Sequence, residues 1–290
     1  MQKLLIIGAG DIARRTLPIL KDRFRIFALV HSPEQQDEWR SLGVRPVMAN
    51  LDDRHSLVRL AGLADFVLHF APPPARGLTD DRTRRLLAVL CRAQSLPQRI
   101  VYISTSGVYG DCGGEKVAET RPLHPTTPRA KRRADAEQRL RAFGAHHKTC
   151  VCILRAPGIY AADRLPLERL RKATPVLQAE DDVFTNHIHA DDLARLTWAA
   201  LRHGRPNRCY NASDDSGMKM GDYFDLVADR FGLPRPPRIS REMAETKIPP
   251  VQRSFMSESR RLDNTRIKKE LRAKLRHPHV SDALNPPHAV

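Results

Sequence analysis

The sequence predicts an α/β fold, a doubly wound parallel sheet followed by a smaller C-terminal lobe, and three observations predict it. Short apolar runs alternate with segments of helical periodicity over the first half of the chain. The first of those runs breaks on two glycines and passes straight into a helix. After Arg155 the alternation loosens into Pro/Gly-punctuated sequence with scattered helices.

The opening run Leu4 to Ile7 reads as a buried strand, followed by Gly8-Ala9-Gly10 and a helix beginning Asp11-Ile12-Ala13. This is the G-x-G-x-x-A order of a dinucleotide-binding turn in a Rossmann-type sheet. Gly8 allows the tight turn, Gly10 lets the backbone approach a pyrophosphate, and Ala13 lets the helix pack closely on the strand. The phosphates would rest at the helix N-terminus, beside Asp11 and Ile12. Further strands are expected at RIFALV, RPVMANL, ADFVLHF, RIVYIS and TCVCILR. TRRLLAVLCRAQ and AKRRADAEQRLRAF carry apolar residues at helical spacing between them. The predicted nucleotide-binding unit covers 1–156, with 186–212 returning to it. The lobe takes 157–185 and 213–290. Within the lobe LPRPPRISREMAETKIPP is expected to be irregular, TRIKKELRAKLR a basic helix, and the tail HPHVSDALNPPHAV partly ordered at most. There is no internal repeat.

Composition narrows the function classes. The chain has 290 residues, 41% of them hydrophobic, enough for a sizeable core. It shows no membrane span and no signal-peptide pattern, so a cytoplasmic protein is expected. The five cysteines (Cys91, Cys112, Cys150, Cys152, Cys209) form no C-x-x-C pair, which argues against a disulfide framework or a zinc site. A net charge of +16 invites nucleic acid as a partner, but the basic residues are spread along the chain and mixed with acids. Nucleic acid is therefore disfavoured against a plain Arg-rich soluble surface, which would also attract small acidic substrates. The oligomeric state is open, a homodimer being one form to test.

At YISTSGVYGD the sequence resembles the strand-end segment of extended short-chain dehydrogenase/reductases, the NAD-dependent epimerase/dehydratase family, and within it a small atypical YeeZ-like branch. NLDD, DFVLHFAPPP, ILRAPGIY, NHIHADDLA and CYNASDD match further segments in the family's order. The resemblance implies a nicotinamide cofactor and hydride transfer on a small hydroxy or carbonyl compound such as a nucleotide sugar. It places Thr105 where the family keeps the Ser/Thr that hydrogen-bonds the reacting oxygen. It also implies that Asn50 and Leu51 border the adenine, that Phe70, Ala71 and Pro72 line the cofactor cleft, and that Ala156, Pro157 and Gly158 lie near the nicotinamide.

Two departures qualify it. The glycine spacing differs from the family's G-x-x-G-x-x-G, and the family's Tyr-x-x-x-Lys pair falls on Arg129 and Arg133. A guanidinium stays protonated, so Arg129 cannot shuttle a proton, while Arg133 can still contact the ribose. The alternative for both is a solvated basic helix face with Lys131 and Arg132. Helical spacing predicts Arg133 toward the cofactor cleft and Arg129 toward solvent or an acidic substrate. The remaining phenolic candidates are Tyr109 and Tyr160, neither with a Lys or His at a local activating spacing. No carboxylate ends the second strand, where His31-Ser32 stand instead and Arg14 is near, so NADP is favoured over NAD. His187 and His189 share a strand face before Asp191-Asp192, but no third ligand is evident, so no metal is expected and the second of the two aspartates is read as a helix N-cap. The alternative function is a dinucleotide-binding sensor or scaffold that lost the chemistry.

Overall fold

The computed structural model describes residues 1–284. Its centre is a seven-stranded parallel sheet built from β1 (Lys3–Ile7), β2 (Arg25–Val30), β3 (Arg45–Met48), β4 (Phe66–His69), β5 (Arg99–Thr105), β6 (Cys150–Ala156) and β7 (Arg208–Asn211). The order across the sheet is β7-β6-β5-β4-β1-β2-β3, the doubly wound arrangement with the chain reversing direction at β1. Both faces are covered, so the strands are apolar on both sides. In β1, Leu4 and Ile6 join the cluster with α1 (Asp11–Leu20) and α5 (Ala190–His203), whereas Leu5 and Ile7 join the one with α3 (Asp81–Leu90) and α4 (Pro128–His147). Each such fully buried side chain contributes about 1.5–3 kcal/mol. Side-chain caps start the helices where the sequence offers Ser, Asp or Thr. Ser32 caps α2 (Pro33–Ser41), Asp80 caps α3 and Thr127 caps α4.

The sheet has one strand more than the six runs expected. β7 is only four residues and carries Arg208 and Asn211 at its ends, so its apolar content is too short to register as a run. After β6 the chain builds a separate hydrophobic cluster around Leu170, Val176, Phe224, Val227, Ile239 and Val280. Helix α6 (Met220–Arg230) forms one side of it, while α5 and β7 return to the sheet.

Two expectations for the lobe are corrected. The Pro-rich stretch holds regular structure: Arg238–Ile239 pairs in parallel with Val176–Leu177, and Arg241–Lys247 is a helix capped by Ser240. The basic helix runs only over Thr265–Glu270, because Leu271 turns into the core and Arg272 takes φ 53°. The tail packs as far as it is described, with Val280 and Leu284 buried, and 285–290 lie outside the described residues.

Candidate active site

The turn after β1 is built around two glycines with different reasons to be glycine. Gly8 has φ +101°, and a Cβ there would meet the Ala71 amide nitrogen at 2.4 Å. Phe70 and Ala71 both donate their N–H to the Ile7 carbonyl, bringing the β4 turn onto the β1 turn. Gly10 has an ordinary φ of −104°, and a Cβ on it would find nothing within 4 Å. Nothing in the fold requires the missing side chain at Gly10. What it leaves open is a cleft of about 580 Å³, lined also by Asp11, Ile12, His31, Asn50, Leu51, Phe70, Ala71, Pro72 and Arg133. That open cradle over the α1 N-terminus fits a dinucleotide's pyrophosphate. Ala13 is fully buried beneath it, as close helix packing needs.

The other residues expected at the cofactor fall around this cleft. Asn50 accepts the Asp52 N–H in a local turn, and Asp52 is gripped by Arg82, which also lines the cleft. Ser32 is one residue removed, its hydroxyl committed to capping α2. Arg14, the cation expected to favour a 2′-phosphate, is held by Glu38 through two bonds of 2.8 and 2.9 Å.

A second cavity of about 460 Å³ opens at the C-terminal end of β5. Thr105 lies on its wall, partly exposed, with its Oγ1 accepting the Gly107 N–H at 3.3 Å. Pro157 and Gly158 line it from the end of β6, and Arg129 and Arg133 from α4. Arg133 lines both cavities and donates to the Tyr102 hydroxyl and the Ile103 carbonyl at 2.9 and 2.8 Å. Arg129 lines only the second, its guanidinium over the Phe255 ring at 4.4 Å, where partial burial pulls its pKa below the ordinary value. The solvated helix face forms only in part: Arg129 and Lys131 remain exposed to solvent, whereas Arg132 is buried and donates to the Gly77 carbonyl.

Neither phenol named from the sequence is brought to Thr105. The Tyr109 hydroxyl donates to Asn211 Oδ1 at 2.7 Å and accepts from Arg155 at 2.8 Å, and burial pushes its pKa up to about 12. Arg155 also grips Glu137, which accepts the Ser104 hydroxyl at 2.6 Å, so a sealed network underlies the strand end that presents Thr105. Tyr160 packs its ring against His187 and His189 and donates to the His279 carbonyl at 3.4 Å. The N-cap of α5 is His189, whose Nδ1 accepts the Asp191 N–H, and not an aspartate as expected. Asp191 pairs with Arg15 instead, and Asp192 accepts the N–H groups of Arg276 and His277. Among the described residues no group of three or more His, Cys, Asp or Glu is placed to hold a metal.

The lobe adds residues that sequence reasoning missed. Arg164 lines both cavities and is tied to Asp11 at the start of α1 by a 3.0 Å ion pair. Arg169 and Tyr223 line the second cavity, and His187, considered from the sequence only as a metal ligand, joins them with its ring stacked on Tyr223 at 4.2 Å. No local spacing in the sequence marks Arg169 or Tyr223, because each arrives from a different part of the lobe.

Asp214, in the turn after β7, is buried and accepts the Ser216 N–H at 3.0 Å. Burial, with Asp215 adding to it, raises its pKa to about 7. The folded value lies above the unfolded one of about 4, so the protonated carboxyl stabilises the fold below pH ~4 and that stability is lost as pH rises toward ~7. Asp214→Asn should therefore melt close to wild type at pH 4 and be the more stable by up to roughly 4 kcal/mol at pH 8. Equal melting shifts at both pH values would contradict the assignment.

The comparisons with known proteins agree with this geometry. The model of the NAD dependent epimerase/dehydratase family matches residues 4–213, and the chain belongs to that family. Human dTDP-D-glucose 4,6-dehydratase is 24% identical over 173 residues, covering 54% of this chain and 49% of that protein, so the chain spans about half the length of that relative. A 4-hydroxy-2-methyl-3-oxo-4-farnesyl-3,4-dihydroquinoline-1-oxide ketoreductase from Stigmatella aurantiaca is 29% identical over 251 residues, 80% of this chain and 74% of the other. A solved structure described as a functionally unknown conserved protein from Silicibacter pomeroyi DSS has a TM-score of 0.78 at 27% identity, covering 98% of this chain and 97% of that one. No helix among the described residues is long and apolar enough to cross a membrane.

Proposed function

We propose that the protein is an NAD(P)-dependent oxidoreductase acting by hydride transfer on a small hydroxy or carbonyl compound. The observation that carries this reading is continuity: the glycine-lined cleft and the Thr105 cavity share Ile103, Arg133, Ile159 and Arg164 on their walls. Gly8, Gly10, Asn50, Leu51, Phe70, Ala71, Pro72 and Arg133 would hold the cofactor, with Pro157 at the junction. When bound, the nicotinamide supplies or accepts the hydride. Thr105 donates a hydrogen bond to the substrate oxygen. The phenol on the cavity wall is Tyr223, whose hydroxyl burial keeps protonated well above neutral pH and which has no hydrogen-bond partner among the described residues. We assign it the proton that Arg129 and Arg133 cannot give.

Dehydration fits less well. Eliminating water needs a base on carbon and an acid on the leaving hydroxyl. Thr105 is followed by Ser106 and Gly107, and the carboxylate on the cavity wall, Glu258, is held by Arg260 and Thr126. A similarity to a ketoreductase over most of both chains supports reduction.

The test is the loss of reduced-nicotinamide absorbance over a panel of aldehydes and ketones. Wild type is expected to turn over at least one of them, and Thr105→Ala to lower kcat by about 10²-fold with unchanged cofactor affinity, as for loss of one oxyanion donor. Binding without turnover across the panel would instead support the sensor reading, which the guanidinium pair at Arg129 and Arg133 favours.

The same reading includes a preference for NADP, carried by the missing carboxylate after β2. Glu38 offsets it by occupying Arg14. Glu38→Gln should free that cation and tighten NADPH relative to NADH by about tenfold, the worth of one charge-assisted hydrogen bond. An unchanged ratio of the two dissociation constants would remove Arg14 from the site.

A further inference from the structure

The cavity beside Thr105 holds far more cation than anion. Arg129, Arg133, Arg164, Arg169 and Arg260 line it against the carboxylate of Glu258. Three of these guanidinium groups are engaged: Arg260 by Glu258, Arg164 by Asp11, and Arg133 by Tyr102 and the Ile103 carbonyl. Arg129 and Arg169 have neither an ion pair nor a hydrogen bond among the described residues. Each is held instead by an aromatic face, Arg129 over Phe255 and Arg169 over Phe224, at 4.4 and 4.5 Å. Stacking of this kind fixes the guanidinium plane and leaves its N–H donors unused.

Arg169 gives the sharper signal, because its Nε and Nη2 are enclosed and both lack a partner. Those two atoms form one edge of the guanidinium. Through that edge Arg14 grips Glu38, Arg82 grips Asp52 and Arg235 grips Asp229, with two N–H bonds to the two oxygens of one carboxylate. An empty fork on an enclosed cation is costly, and the loss of hydration pulls the Arg169 pKa down. A two-oxygen anion relieves both. The Arg169 side chain already lines the cavity that such an anion would enter.

We propose that Arg169, with Arg129 from α4, forms an anion subsite that takes a carboxylate or phosphoryl group of the molecule whose carbonyl or hydroxyl meets Thr105. This rests on the reading of the cavity as the substrate site and narrows the substrate to an anionic compound.

The test is isothermal titration of the full chain with malonate and with inorganic phosphate, no cofactor added. Wild type should bind at least one probe, the tighter of the two identifying the group as carboxylate or phosphoryl. Arg169→Leu and Arg129→Leu should each weaken binding at least tenfold. Arg169→Lys, which keeps the charge and loses the fork, should weaken it as well, and Arg129→Leu keeps the test decisive if Arg169→Leu is unstable. Arg195→Leu, which removes the same charge from α5 outside this cavity, and Arg82→Leu, in the glycine-lined cleft, should leave affinity within about twofold. Absence of binding by both probes, binding indifferent to Arg169 and Arg129, or binding lost with Arg82 would overturn the subsite. Because neither cofactor nor turnover is required, that failure leaves the hydride-transfer reading standing, and an inactive enzyme that binds the probe leaves the subsite standing.

Discussion

Replacing Arg155 with methionine will destabilise the fold by about 3–5 kcal/mol, because it strands a buried carboxylate. Arg155 and Glu137 are 2% and 1% exposed and joined at 2.7 Å. Burial opposes the guanidinium's charge, and Glu137 more than restores it, holding the Arg155 pKa above its ordinary value. The pair also anchors Tyr109, which donates to Asn211, which in turn donates its N–H to Glu119 at 2.9 Å. Strands β5, β6 and β7 and helix α4 thus meet in one hydrogen-bonded network. Its loss should lower the melting temperature on the order of 10 °C for a chain of this size. Adding Glu137→Leu to Arg155→Met should recover part of the loss, since the uncompensated charge is then gone. If the double variant is the less stable by the sum of both singles, the penalty does not come from an unpaired charge.

Gly10→Val should abolish nicotinamide-cofactor binding, weakening it at least 100-fold by fluorescence titration, while the melting temperature falls by no more than about 4 °C, the worth of an N-cap glycine. Both halves follow from the turn. At Gly10 the backbone is extended with a negative φ, and an added Cβ meets no protein atom within 4 Å. They project into the cleft, where a pyrophosphate would approach the backbone. Gly8 cannot serve for this test: its φ of +101° and the 2.4 Å approach of Ala71 make any side chain there a folding defect. Unchanged affinity in Gly10→Val would remove the dinucleotide from this cleft.

The parts of this protein that the sequence makes legible are those governed by local rules. The alternation of apolar runs and helical periods has its cause in a sheet covered on both faces. Gly8 is readable because its tight turn admits few residue types, and Gly10 because close approach of a pyrophosphate to the backbone leaves no room for a side chain. The placement of Arg133 toward the cleft follows from the family resemblance, and helical spacing then puts Arg129 one turn away along the same wall. What stayed hidden depends on pairs far apart in the chain. Tyr109 looked available because its local neighbours offer no partner, yet Arg155 and Asn211 enclose it from two other strands. Arg14 looked free until Glu38 arrived from α2. Arg169, His187 and Tyr223 converge only once the lobe has folded over the strand ends, and β7 is too short and too polar at its ends to announce itself.

Hydride transfer at this site requires the reacting end of the cofactor to lie beside Thr105. A crystal structure of the full chain soaked with NADPH measures it directly. The nicotinamide is expected at the junction walled by Ile103, Arg133 and Ile159, its ring facing the cavity that Thr105 and Tyr223 line, with the pyrophosphate over Gly10. A cofactor bound with its nicotinamide directed away from that cavity, or bound outside the glycine-lined cleft, would contradict hydride transfer at this site.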